Sequence, residues 1–215
     1  MATVIAIDGP SASGKGTIAR KLAAHLDFAY LDTGLLYRAV GMAVLRAGAD
    51  PADPVLAEKE ARALNATTLM QSNDEELRSD TASVAASKVA AIPAVREALL
   101  KFQKDFCAHP PENRTGAVLD GRDIGTVIAP DAKVKIFVTA SAEIRADRRF
   151  KELQSRGITT SYGDVLADMQ ARDARDAARA IAPTRPAPDA VLLDTDNLNA
   201  QQALDAAIKI VENKL

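Results

Sequence analysis

Thr3-Val4-Ile5-Ala6-Ile7-Asp8-Gly9-Pro10-Ser11-Ala12-Ser13-Gly14-Lys15-Gly16-Thr17 is the stretch that decides the reading of this chain. A short apolar run leads straight into a glycine-rich loop, and a helical pattern over Lys15–Leu26 begins at the loop's far end. Buried strand, loop and helix in that order are the context a phosphate-binding P-loop requires. Gly9 and Gly14 open backbone conformations closed to other residues, so successive N–H groups can converge on phosphate oxygens. The helix adds the positive end of its dipole. Lys15 is placed to reach β- and γ-phosphates, and a hydroxyl beside it to ligand Mg²⁺. Gly16 stands where the strict G-x-x-x-x-G-K-[ST] pattern has Ser or Thr, and Thr17 follows it. The G-K-G-T variant is typical of small-molecule phosphotransferases. Gly9, Pro10, Ser11, Ala12, Ser13, Gly14, Lys15, Gly16 and Thr17 are therefore the candidate set for the phosphates of a nucleoside triphosphate such as ATP.

Outward from the loop, strand-like runs recur at residues 4–7, 28–31, 117–119, 134–138 and 190–193. Several are continuously apolar, as strands covered on both faces of a parallel sheet must be. Helical patterns lie between them at 35–47, 55–64, 82–89, 95–106, 142–154, 162–178 and 200–214. The alternation predicts a three-layer α/β fold whose ligands sit at the carboxyl ends of the strands. Two regions stand outside it. Residues 66–80 turn polar, and 156–188 are rich in Arg, Asp and Pro, offering Gly157 and Gly163 as hinges. Inserts of this kind close over substrates and exclude water in phosphotransferases.

At 215 residues the chain is expected to form one domain with a real core. Its 27 basic residues nearly balance 29 acidic ones, which gives no electrostatic case for nucleic acid or an anionic membrane. Without Trp and with few aromatics there is no stacking platform for single strands either. The lone Cys107 forms no internal disulfide and is expected to be a buried thiol, not a nucleophile. His25 and His109 stand apart from any cysteine, so no zinc constellation is expected. The first apolar run is too short and lacks the basic flank of a signal peptide, and no segment has the length of a membrane span. A cytoplasmic protein, and a monomer, is the expectation.

Three further constellations carry chemistry. Val118-Leu119-Asp120-Gly121-Arg122-Asp123 ends a strand, where Asp120 can hold the hydration shell of Mg²⁺ and Arg122 can grip a phosphate. Asp123 follows, able to accept from an amino group. In Asp32-Thr33-Gly34-Leu35-Leu36-Tyr37-Arg38 a hydroxyl and an arginine open a helix, facing a phosphate or simply capping the helix. Arg172, Arg175, Asp176 and Arg179 recur at helical spacing on one face. Arginines on a closing segment are suited to the charge spread over a transferring phosphoryl group, which makes Lys15, Arg122, Arg172, Arg175 and Arg179 the candidate catalytic set. Thr17 and Asp120, the latter through water, are the candidate Mg²⁺ partners.

Taken in order, residues 8–17, Leu31–Gly34 with Tyr37 and Arg38, Ala86-Ser87 with Pro93 and Arg96, residues 120–125, and residues 172–179 with Ala182-Pro183 resemble the bacterial cytidylate kinases. The resemblance implies a nucleoside monophosphate kinase fold. Its core would be 1–32, 108–155 and 188–215, its monophosphate-binding segment about 33–107 and its lid about 156–187. It implies phosphorylation of CMP and dCMP by ATP with Mg²⁺. Carried over, the acceptor set would be Thr33, Tyr37, Arg38, Ser87, Arg96, Arg122, Asp123, Arg172, Asp176 and Arg179. Arg38, Arg122, Arg172 and Arg179 would take its phosphate, and Asp176 its sugar. Ser87, Arg96 and Asp123 would read cytosine, whose amino group a carboxylate accepts and whose N3 an arginine donates to. Uracil reverses both, and such mismatches discriminate strongly. The chain departs from the family in residues 66–80, too short and polar for the usual small antiparallel insert. Another P-loop kinase, acting on a different monophosphate or a small alcohol, remains the alternative. A GTPase switch is disfavoured because no Asn-Lys-x-Asp motif is present.

Overall fold

The computed structural model describes residues 2–65, 74–178 and 181–215. Its strands are β1 (Thr3–Asp8), β2 (Ala29–Asp32), β3 (Gly116–Gly121), β4 (Val134–Thr139) and β5 (Val191–Asp194). Its helices are α1 (Lys15–Leu26), α2 (Thr33–Arg46), α3 (Pro54–Ala63), the single turn α4 (Asp74–Leu77), α5 (Asp80–Val89), α6 (Pro93–Ala108), α7 (Ala142–Ser155), α8 (Tyr162–Ala177) and α9 (Ala200–Glu212). The chain divides into two compact units, one formed by the stretch up to Leu31 with Pro110–Leu215, the other by Asp32–His109.

The first unit is built on the sheet, in the order β2-β3-β1-β4-β5. β1 pairs in parallel with β3 on one side and β4 on the other, and β4 in parallel with β5. Every residue of β3 is buried, which is why its sequence is apolar without alternation. Ile5, Ile7, Val118, Val134, Ile136 and Val138 form one core with Ile18 and Leu22 of α1 and Leu204, Ala207 and Val211 of α9. An Asn199–Gln202 capping box closes the start of α9. Ala146 and Leu153 of α7 pack with Val165 of α8, and Phe150 meets Tyr162 edge-on. The register sets Asp120 beside Ile7 and Gly121 beside Asp8, so β1 and β3 end at the same level. From β1 the chain continues to β2 on one side and from β3 to β4 on the other, so these two strands flank the switch point at which open α/β sheets bind ligands.

In the second unit Leu36, Tyr37, Val40 and Val44 of α2 pack on Ala57 and Ala61 of α3, Ala86 and Val89 of α5, and Val95 and Leu99 of α6. α2 and α5 touch at Gly41, where a Cβ would lie 2.7 Å from that of Ala85. Any larger residue there would force the two helices apart.

Three details differ from the sequence expectation. α2 begins at Thr33, with Asp32 in the cap position, so Thr33 is not the cap. α5 begins at Asp80, two residues early, because the Ser79 hydroxyl accepts from the N–H of Ala82 at 3.1 Å. Gly163 lies in the first turn of α8 and is no hinge, whereas Gly157 turns the chain after α7 with φ +72°. Of the 66–80 insert, residues 66–73 lie outside the described residues.

Candidate active site

Gly9 leaves β1 with φ +153°, and a Cβ on it would lie 2.1 Å from the carbonyl oxygen of Val138. Only glycine lets the loop start this close to β4. Ala12 and Gly14 follow with φ +56° and +91°. Gly14 caps α1 from the left-handed region and provides no side-chain bond. By contrast Asp53, Ser79, Ser141, Ser161 and Asn199 close the first turns of α3, α5, α7, α8 and α9 with their side chains. No side chain caps α1, as none caps α2 or α6, so the N–H groups at its start can meet an anion. The buried Oγ atoms of Ser11 and Ser13 likewise have no hydrogen-bond partner among the described residues. Uncapped donors, two orphaned hydroxyls and Lys15 together fit a polyphosphate.

Asp120, 3% exposed, ends β3 beside this loop. One of its oxygens accepts from the Tyr30 hydroxyl at 2.9 Å, and the other lies 4.0 Å from Nζ of Lys15. A Cβ on Gly16 would reach within 3.4 Å of that second oxygen. Thr17 is exposed on the first turn of α1. A carboxylate and a hydroxyl are hard oxygen donors, and Mg²⁺ is held by few such groups, completing its shell with water and phosphate oxygens. The donor set therefore fits Mg²⁺.

Asp8 ties the loop's origin to the segment after β3. Only 4% exposed, it accepts from the N–H groups of Ile124 and Gly125, each at 2.8 Å. Burial pushes its carboxyl up to about 6; the two backbone bonds pull it down and the charge of the buried Asp123 pushes it up. Gly125 sits between this carboxylate and the stem of Lys135, whose Nζ donates to Asp189 at 2.8 and 2.9 Å. Sequence reading took Asp8 only as part of the loop motif and missed Lys135. The available signal was a charged residue inside an otherwise buried strand.

Among the arginines, Nε of Arg122 donates to Asp176 at 3.1 Å, joining two of the expected acceptor residues. Arg172 is half-buried on α8 and Arg175 exposed, so the expected common face divides between core and solvent. Arg179 lies outside the described residues. A cavity of about 210 Å³ opens beside Pro10, Thr139, Arg145, Asp173, Asp176 and Thr184. Arg145 and Arg148 of α7 turn toward the glycine-rich loop, facing the carbonyls of Ser11 and Ser13.

In the second unit Thr33, Tyr37, Ser87 and Arg96 are all buried. The Arg96 guanidinium lies 5.6 Å from the centre of the Tyr37 ring, over its face. Ser87 and Arg96 each directly follow a member, Ala86 or Val95, of the cluster that holds Tyr37. Nη1 of Arg38 donates to the carbonyl of Leu77 at 2.8 Å. Cys107 is half-buried, not fully, and burial pushes its thiol up to about 11, so it is no nucleophile near neutral pH. Among the described residues no helix is long and apolar enough to cross a membrane.

Comparison with known proteins converges on one family. The family model described as cytidylate kinase matches residues 5–213. The chain is 61% identical over 214 residues to a cytidylate kinase of Paramagnetospirillum magneticum, covering all of both chains. It is 61% identical over 211 residues to one of Rhodospirillum rubrum, covering 98% of each. Among solved structures it resembles in fold a sugar kinase from Janibacter sp., with TM-score 0.51 and 14% identity over 99% of this chain and 95% of that one.

Proposed function

This chain belongs to the cytidylate kinase family, and from that premise we propose that it transfers the γ-phosphoryl group of ATP to CMP or dCMP, giving CDP or dCDP and ADP. The observation that carries the donor half is the phosphate loop. Its uncapped helix start, its orphaned Ser11 and Ser13 hydroxyls and the nearby Lys15 leave convergent donors for a triphosphate. Phosphoryl transfer asks little covalent chemistry of a protein and much positioning and charge stabilisation. Lys15 holds the donor's terminal phosphates and neutralises the charge that moves with them. Thr17, and Asp120 through water, would hold Mg²⁺, which would supply positive charge against the negative charge of the phosphates.

On the acceptor side, Arg122, Arg38, Arg172 and Arg179 receive the phosphate of CMP, and Asp176 its sugar. Arg122 and Asp176, paired at 3.1 Å, exchange that bond for the substrate's groups when it binds. Asp123 accepts from the cytosine amino group, and Ser87 and Arg96 complete the base reading. Arg96 is held in place by the Tyr37 ring, which keeps its guanidinium oriented while buried. Residues 156–187 act as a lid that brings Arg172, Arg175 and Arg179 to the reacting phosphates and excludes water.

The test is ADP release from ATP and Mg²⁺ with CMP, dCMP, UMP, AMP and GMP as separate acceptors. Strong turnover confined to CMP and dCMP is expected. Turnover on another monophosphate would overturn the base assignment, and silence on all five would overturn the reaction.

A further inference from the structure

A trans peptide sets its carbonyl and the following N–H on opposite sides, so whatever holds the carbonyl also aims the N–H. Two carbonyls of the phosphate loop are held by side chains from distant parts of the chain. The carbonyl of Ser13 faces Nη1 of Arg148 at 3.4 Å and the Thr195 hydroxyl at 3.1 Å, whose proton it shares with the Thr139 carbonyl, also at 3.1 Å. Arg148 is itself anchored to Thr195, with Nη1 donating to its hydroxyl at 3.0 Å and Nη2 to its carbonyl at 2.6 Å. Thr195, 2% exposed, is fixed in turn by its N–H, which donates to the carbonyl of Thr139 at 2.9 Å. One turn earlier on α7, Nη1 of Arg145 faces the carbonyl of Ser11 at 3.3 Å, while its Nε donates to Ala140 and its Nη2 to Asp173. Holding the carbonyls of Ser11 and Ser13 in this way turns the N–H groups of Ala12 and Gly14 toward the opposite side. Those are groups an anion cradle uses.

We propose that Arg148, Thr195 and Arg145 form a brace behind the phosphate loop that sets its affinity for the donor's phosphates. They are positioning residues, acting on the donor through the loop. The proposal rests on the reading of the loop as the donor-triphosphate site. It adds to that reading the residue after β5 and the first two turns of α7, which no phosphate-loop motif contains. Ala12 shows why a brace is needed. A non-glycine residue at φ +56° pays a conformational cost, and the loop relaxes from that shape unless something outside it holds it. The brace also sets two guanidiniums directly behind a site for a polyanion, so their charge favours the ligand as well as the loop.

The experiment is calorimetric titration of wild type, Thr195→Val, Arg148→Met and Arg148→Lys with ATP, inorganic tripolyphosphate and CMP, with Tm recorded for each. Arg148→Met is expected to weaken ATP and tripolyphosphate alike by about ten-fold and Thr195→Val by about three-fold, with CMP affinity unchanged. Arg148→Lys should recover part of the loss, since it can still donate to Ser13. Thr195→Val removes one hydroxyl at constant shape and serves if Arg148→Met does not fold. Wild-type binding of both polyphosphates with the variants equal to it, whatever their Tm, overturns the brace alone. So does a loss of CMP affinity in step with the others, the mark of general destabilisation. A wild type that binds neither polyphosphate overturns the donor reading and the brace with it.

Discussion

Replacing Asp8 by Asn is expected to remove a pH dependence that the wild-type fold carries. The Asp8 carboxyl is buried and raised from 3.8 to about 6, chiefly by desolvation, although it accepts two backbone bonds. Because the folded state holds this proton more tightly than the unfolded chain, its contribution to stability is fully present below about pH 3.8. It declines as pH rises toward 6, and above that the fold bears the cost of a desolvated carboxylate. A displacement of about two units corresponds to about 3 kcal/mol. Asn cannot titrate. The stability of wild type minus that of Asp8→Asn should therefore fall by about 3 kcal/mol between about pH 3.5 and 7. Urea unfolding followed by circular dichroism at half-unit pH steps measures it. Asp50, whose carboxyl is lowered first by the N–H of Ala52 and then by Lys88, and Asp189, lowered chiefly by Lys135, act in the opposite direction but are common to both proteins and cancel. Parallel curves, or a difference that grows as pH rises, would refute the reasoning.

Asp123→Ala should erode the preference for CMP over UMP by about ten-fold or more, read as the ratio of kcat/KM values; an intact preference would remove Asp123 from the base pocket. Lys15→Ala should lower kcat by roughly 10²–10³ for every acceptor, whatever its base, because the lost charge serves the transferring phosphoryl group. Gly9→Ala must displace the Val138 carbonyl that a Cβ would meet at 2.1 Å. It should cost about 2–4 kcal/mol in urea unfolding, and a neutral effect would show that the loop starts elsewhere.

Much of the sheet was legible because several of its strands are almost continuously apolar and bounded by turn residues. The runs at 4–7 and 134–138 fall inside β1 and β4. Helix starts were less legible. α5 begins two residues before its apolar pattern because a cap, Ser79, and not the apolar face, sets the boundary. The Asp120 carboxylate was legible as a strand-end acid, but its bond from Tyr30 was not, since the two stand 90 residues apart in the chain. In the sequence Arg145 and Arg148 fit a contact near the donor and a solvated helix face equally well. Their contacts with Ser11 and Ser13 depend on where α7 packs, which no local pattern states.

By itself the sequence determined the α/β class, the glycine-rich loop between β1 and α1 and the family, because strand period, glycine placement and motif order are properties of neighbouring residues. Tertiary structure alone decided which charges are paired and which carbonyls are held. Arg122 meets Asp176 across 54 positions, Thr195 meets Ser13 across 182, and Asp8 meets Gly125 across 117. Such partners are chosen by strand order and helix packing. Their energies depend on burial, which exists only once the chain has folded.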